Sequence, residues 1–182
     1  MDAIVLQAMA KWPNVPECHG WLGLSAQGDW YLRDAQAQAC GGFASGQPGA
    51  RGSRIEHAGL IAFIGRNYAC DAGGRWFFQN GPQRVFVELQ ATPWIWRIEA
   101  DGAVLSHTGL AASVREVLLD ESGLLYLATD LGLGLVHSRD MLLAASAVEQ
   151  GLWSPQPVLA ADLSKRYGFM ASPEQARLNT AR

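Results

Sequence analysis

Histidines, cysteines and carboxylates are the side chains of this 182-residue chain best suited to metal binding, nucleophilic attack or proton transfer, and their spacing does not organise them. His19, His57, His107 and His137 each lack a second histidine or cysteine within the next few residues, so no metal centre or cofactor is expected. Cys18 and His19 are neighbours, but adjacent residues of an extended segment face opposite ways, which separates a thiol from its base. Gly132-Leu133-Gly134 is a fragment of a dinucleotide fingerprint that lacks the third glycine. Leu135-Val136 continue as strand where a helix should open. Asp120, Glu121, Asp130 and Asp140 lie in turns and helix starts, where acids stabilise exposed N–H groups. Neither a Gly-x-Ser-x-Gly elbow nor a phosphate-binding loop occurs. No catalytic, cofactor-binding or metal-ligating residue is therefore expected from motifs.

The aromatic residues are the stronger lead. Trp30, Trp76 and Trp96, with Arg97 beside the last, are candidates for an interaction groove, because large rings with one polar tip favour interfaces. Each tryptophan also sits in a strand-like run, which argues for core. Arg75, Arg84 and Arg97 near aromatics would suit base stacking, but a net charge of -3 offers a nucleic acid no attraction, and none is expected as a partner.

Composition narrows the class further. With 49% hydrophobic and 17% charged residues the chain can bury a real core and is far from disorder. Three cysteines at long spacings suggest no disulfide framework. No basic-then-apolar leader opens the chain and no apolar run is long enough to span a bilayer, so no membrane association and a cytoplasmic location are expected.

The elements that would position these residues can be read from periodicity and turn chemistry. Residues 3–12 read as a helix capped by Asp2 and stopped by Pro13, with Ile4, Ala8, Met9 and Trp12 on one side. Residues 21–24 and 30–33 form a hairpin around Ala26-Gln27-Gly28. Residues 35–52, mainly Ala, Gln and Gly without periodicity, are expected to be a mobile loop and the first internal site of proteolysis. Ser53-Arg54-Ile55-Glu56 reads as a capping box opening a helix to about Asn67, with Leu60, Ile61, Ile64 and Tyr68 as its buried stripe.

Residues 71–99 then read as a three-stranded meander. Val85, Val87 and Leu89 alternate with Phe86, Glu88 and Gln90, and Trp94, Trp96 and Ile98 with Ile95, Arg97 and Glu99. Pro82 cannot donate the N–H that would close a two-residue Asn80-Gly81 turn, so a four-residue loop, 80–83, is expected. Residues 115–120 and 124–129 form a further hairpin, and 131–135 a strand with leucines on one face and glycines on the other, open to close packing. Ser138 would cap a helix over about 139–150. The tail carries a weak helix near 161–166 and a capping box at Ser172-Pro173-Glu174-Gln175.

One hairpin pattern recurs. Gly28-Asp29-Trp30-Tyr31-Leu32, Gly74-Arg75-Trp76-Phe77-Phe78 and Gly123-Leu124-Leu125-Tyr126-Leu127 each follow a polar turn, and Gly102-Ala103-Val104-Leu105 is a weaker copy. With the helix over 60–68, Val85-Phe86-Val87-Glu88 and Thr92-Pro93-Trp94, the chain over roughly residues 20–140 resembles an uncharacterised bacterial family of two-domain α+β proteins with repeated hairpin motifs. The resemblance implies that architecture and a binding or signalling role. The expected fold is α+β: two small, closely packed units of mostly antiparallel sheet with flanking helices, residues 1–92 and 93–182, the second with a helical tail. The leading expectation for function is a non-catalytic binding or regulatory protein acting through a protein partner or small ligand. The alternative is an enzyme whose active site gathers dispersed residues.

Overall fold

The recurrent hairpins are real, and their turns share one chemistry. In the computed structural model, which describes residues 1–180, the turns beginning at Ser25, Asp71, Glu99, Ser106 and Asp120 each close with a bond from the first residue's N–H to the carbonyl four positions on. At Asp71, Ser106 and Asp120 the first side chain also accepts from the N–H groups two and four residues later. The fourth residue is a glycine at left-handed φ, +75° at Gly74 and +79° at Gly123, which a side chain would resist.

The first compact unit comprises Met1–Ser25, Asp29–Gln90 and residues 169–180. In chain order it runs α1 (Ala3–Lys11), β1 (Cys18–Leu24), β2 (Trp30–Leu32), α2 (Ala35–Cys40), β3 (Ser53–Arg54), α3 (Ala58–Arg66), β4 (Tyr68–Cys70), β5 (Trp76–Asn80) and β6 (Gln83–Leu89). Its six strands are ordered β3-β2-β1-β6-β5-β4, antiparallel except for the β1–β6 pair. Leu22, Leu24, Trp30, Ile64, Phe78, Val87 and Leu89 form a core cluster of this unit.

Several expectations for this unit are corrected. Val5, not the Ile4/Trp12 side, is the buried residue of α1. Residues 35–52 are pinned: Asp34 caps α2 by accepting from Ala37 N–H, and Phe43 and Ala50 are buried. The buried Arg33 guanidinium binds the carbonyls of Ala50 (2.7 Å) and Gly20 (3.0 Å), a tertiary tie that periodicity does not reveal. Ser53-Arg54 pair with β2 instead of opening a helix, and the imidazole of His57 caps α3 by accepting from Leu60 N–H. The helix then ends before Tyr68, which belongs to β4, and Leu60 is exposed. The β5–β6 turn has two residues, since Asn80 pairs with Gln83. Gly81 and Pro82 occupy its centre, so Pro82 is not asked for an N–H.

The second unit comprises Ala26–Gly28 and Ala91–Gly168. It runs β7 (Trp94–Ile98), β8 (Val104–Ser106), β9 (Ala111–Ala112), β10 (Val114–Asp120), β11 (Leu125–Thr129), β12 (Gly132–Val136), a 3-10 turn (Ser138–Asp140), α4 (Met141–Glu149), β13 (Gln156–Val158) and α5 (Ala160–Arg166). Its seven strands are ordered β13-β10-β11-β12-β7-β8-β9, with parallel pairs β10–β13 and β7–β12. β7 thus belongs to a different sheet from β5 and β6, and the expected three-stranded meander is divided. Pro157 lies in the edge strand β13, where a missing N–H is tolerated. The glycine face of β12 packs as expected: a Cβ on Gly134 would lie 2.3 Å from Trp96 Nε1.

The chain then closes on the first unit. Residues 169–180, including α6 (Pro173–Thr180), belong to that unit and not to a tail of the second. Leu89 N–H donates to Ala171 O at 2.8 Å, and Met170 N–H to Gly74 O at 2.9 Å. The result is an α+β protein of two mostly antiparallel sheets flanked by helices.

Candidate functional site

The four residues expected to line a groove are placed in two different packing environments. Trp30 is 2% exposed, edge-on to Tyr68 at 5.2 Å; Trp76 is half-buried with its ring 4.8 Å from the same tyrosine. Trp96 is fully buried in the second unit and donates Nε1–H to Leu127 O at 2.9 Å. Trp30 and Trp96 are therefore buried side chains and do not line an open groove. Arg97 is committed to Asp140, with Nε 2.6 Å and Nη2 3.1 Å from its two oxygens. Asp140 also accepts from Ile98 N–H, and the Arg97 guanidinium holds its carboxyl below the usual range.

The more suggestive geometry lies at the start of β1. Pairing of β1 with β6 slips between Cys18 and Leu22, so a bulge carries His19, and Gly20 adopts a φ of +78°. Bulges of this kind re-aim a side chain. Arg33 holds the Gly20 carbonyl, and the His19 ring stacks on Phe86 at 4.6 Å. The His19 side chain is 9% exposed, with Nε2 3.7 Å from Glu17 Oε2 and a buried Nδ1 that has no hydrogen-bond partner in the protein. Burial, followed by the charge of Arg177, depresses the pKa of the imidazole.

His19 lines a hollow of about 470 Å³ with Glu17, Arg75, Met170 and one face of α6. Pro173, Ala176, Arg177 and Thr180 recur at helical spacing along that face. Both guanidiniums are fixed from below. Arg75 donates Nε–H to Asp71 at 2.7 Å and lies over Phe86, and Arg177 reaches both oxygens of Glu174 at 3.1 Å. Each engages two of its nitrogens in this way, leaving further N–H donors.

Helix α6 is held where it lines the hollow by Glu88. This buried carboxylate accepts from the Ser172 hydroxyl and from Glu174 N–H at 3.0 Å, and burial raises its pKa. Ser172 in turn accepts from Gln175 N–H at 3.2 Å, the cap that the tail motif implies. Both hydrogen-bond partners of this carboxylate are thus at the start of α6, with Arg33 acting only through its charge. The signal that could have located His19 is the glycine interrupting its strand run, a mark of a bulge.

Among the described residues no group of three or more His, Cys, Asp or Glu is placed to hold a metal ion, and no helix is long and apolar enough to cross a membrane.

The architecture defines an α+β protein built from two hairpin-rich sheets, with a hollow lined by His19, Arg75 and Arg177 on the first. A family model described as a protein of unknown function (DUF2946) matches residues 1–174, and the chain belongs to that family. No curated protein matches it. A crystal structure of a DUF1285 family protein from Silicibacter pomeroyi DSS-3 is 11% identical, covering 80% of this chain and 84% of that one at a TM-score of 0.49.

Proposed function

We propose that this is a non-catalytic, cytoplasmic binding or regulatory protein that captures a small oxyanion, a carboxylate or phosphate group of its ligand or partner, in the His19 hollow. The observation carrying this reading is the nine-tenths-buried His19, whose Nδ1 has no partner, set beside two pre-positioned guanidiniums. Buried polar atoms are normally satisfied, so an unpaired one facing few alternatives marks a site kept for a partner. Asp71 and Glu174 offset the charge of the arginines. They also orient both forks, which favours directional recognition over general attraction.

Calorimetric titration of the full chain with inorganic phosphate and, separately, with acetate tests this. Saturable binding of at least one with a Kd of about 0.1–1 mM is expected. Arg177→Gln should weaken it by about tenfold or more, the worth of a charged hydrogen bond. Absence of saturation, or equal binding by the variant, would overturn the proposal. The arm that binds identifies the oxyanion class.

A further inference from the structure

A second hollow of the first unit makes a different demand on a ligand. It is bounded by Met9 and Trp12 at the end of α1, Val15 and Glu17 of the following linker, and Gln79 and Arg84 of β5 and β6, with a volume of about 320 Å³. We infer that this hollow is a binding site for a free α-amino acid with a bulky apolar side chain.

Three features specify that chemistry. The first is Gln79, 1% exposed, whose Nε2 donates to Gly81 O at 2.9 Å. That bond fixes which end of the amide is nitrogen, and Oε1 is then a buried acceptor without a hydrogen-bond partner in the protein. A ligand serving it must donate.

The second is the Glu17–Arg84 pair. The two charges are 3.8 Å apart and about two-fifths exposed, a looser contact than the 2.6 Å of Arg97–Asp140. A loose, wet ion pair contributes little by itself. Each charge retains capacity for an opposite partner, and an ammonium joined to a carboxylate through one carbon supplies both at once. The ammonium would meet Glu17 and the Gln79 carbonyl, and the carboxylate Arg84.

The third is the apolar wall. Trp12 is half-exposed and Met9 and Val15 complete a surface suited to a branched or aromatic side chain. The size lies at the lower end of the range of ligand pockets, roughly 300–1,000 Å³, which suits a single small molecule. The linker between α1 and β1 is tied down by Gln83 Nε2–H donating to Pro16 O at 2.9 Å, so the wall is preformed.

The test is a titration of the full chain, followed by heteronuclear NMR, with L-leucine, glycine, N-acetyl-L-leucine and L-leucinamide. L-leucine is expected to saturate. Glycine, which lacks the apolar side chain, and each blocked compound, which lacks one charge, should bind on the order of tenfold more weakly or worse. Trp12→Ala, a change at the half-exposed C-cap of α1, should weaken L-leucine by a similar factor while leaving the spectrum of the folded chain intact. Inorganic phosphate should not displace L-leucine, since its proposed site is the His19 hollow. No saturation by L-leucine up to about 10 mM, equal binding of the blocked compounds, or displacement by phosphate would each overturn the inference.

Discussion

At the scale of single residues, buried carboxylates carry the most specific consequences. Asp140 accepts from Arg97 and from the buried N–H of Ile98, so Asp140→Ala leaves a donor unsatisfied and is expected to cost about 1–3 kcal/mol. Arg97→Ala leaves that buried carboxylate without its counter-ion and should cost at least as much. Urea melts of the two variants check the order. Their pH dependences should also differ in sign from that of Glu88. Asp140 titrates lower in the folded chain than in the unfolded, so its contribution is present above the ordinary carboxylate range and is lost as pH falls through the depressed value. Glu88 titrates higher when folded, mainly through burial, so ionising it costs stability as pH rises from the ordinary value through the raised one. Thermal melts across that range should show Glu88→Gln flattening the decline, and Asp140→Asn flattening the rise.

At the scale of elements, packing should make certain small changes severe. Gly134→Ala would set a methyl group 2.3 Å from Trp96 Nε1 and 2.7 Å from the Trp94 carbonyl, and should cost about 1–3 kcal/mol or more. Val87→Ala, at a fully buried site of the first core, should cost on the order of 1–3 kcal/mol. Denaturant midpoints measure both.

Much of this element structure is legible in the sequence. The glycine-ended turns, the alternation of β6 and β7, the leucine–glycine strand β12 and the Ser172 cap all follow from local chemistry. What alternation cannot tell is the partner of a strand. β6 and β7 follow one another and read as a meander, yet β6 pairs in parallel with β1 and β7 with β12, through contacts made far along the chain. Residues 35–52 look featureless for the same reason: the Arg33 guanidinium that orders them binds backbone carbonyls, which carry no sequence signature. The His19 hollow needed both a bulge and a helix some 150 residues later, so only Gly20 hinted at it.

At the scale of the whole molecule, the first unit is completed by the end of the chain. Deleting residues 169–182 would remove the α6 wall of the hollow, the Leu89–Ala171 bond and both partners of buried Glu88. That truncation should destabilise the first unit by about 2–5 kcal/mol, since it leaves an unpaired buried charge, and hydrogen exchange of β1 and β6 amides should accelerate accordingly. The second unit holds its own sheet and core, so its protected amides should be spared. The same helix carries Arg177 to the hollow that His19 lines.

The most direct measurement of the central claim follows the titration of His19 itself by NMR, with and without inorganic phosphate or acetate. Free of ligand, its pKa should lie below the usual histidine value because it is buried beside Arg177. An oxyanion held next to the ring favours the imidazolium, so a saturating anion should raise that pKa, and binding should tighten as pH falls. An imidazole whose titration is unmoved by either anion would contradict the account.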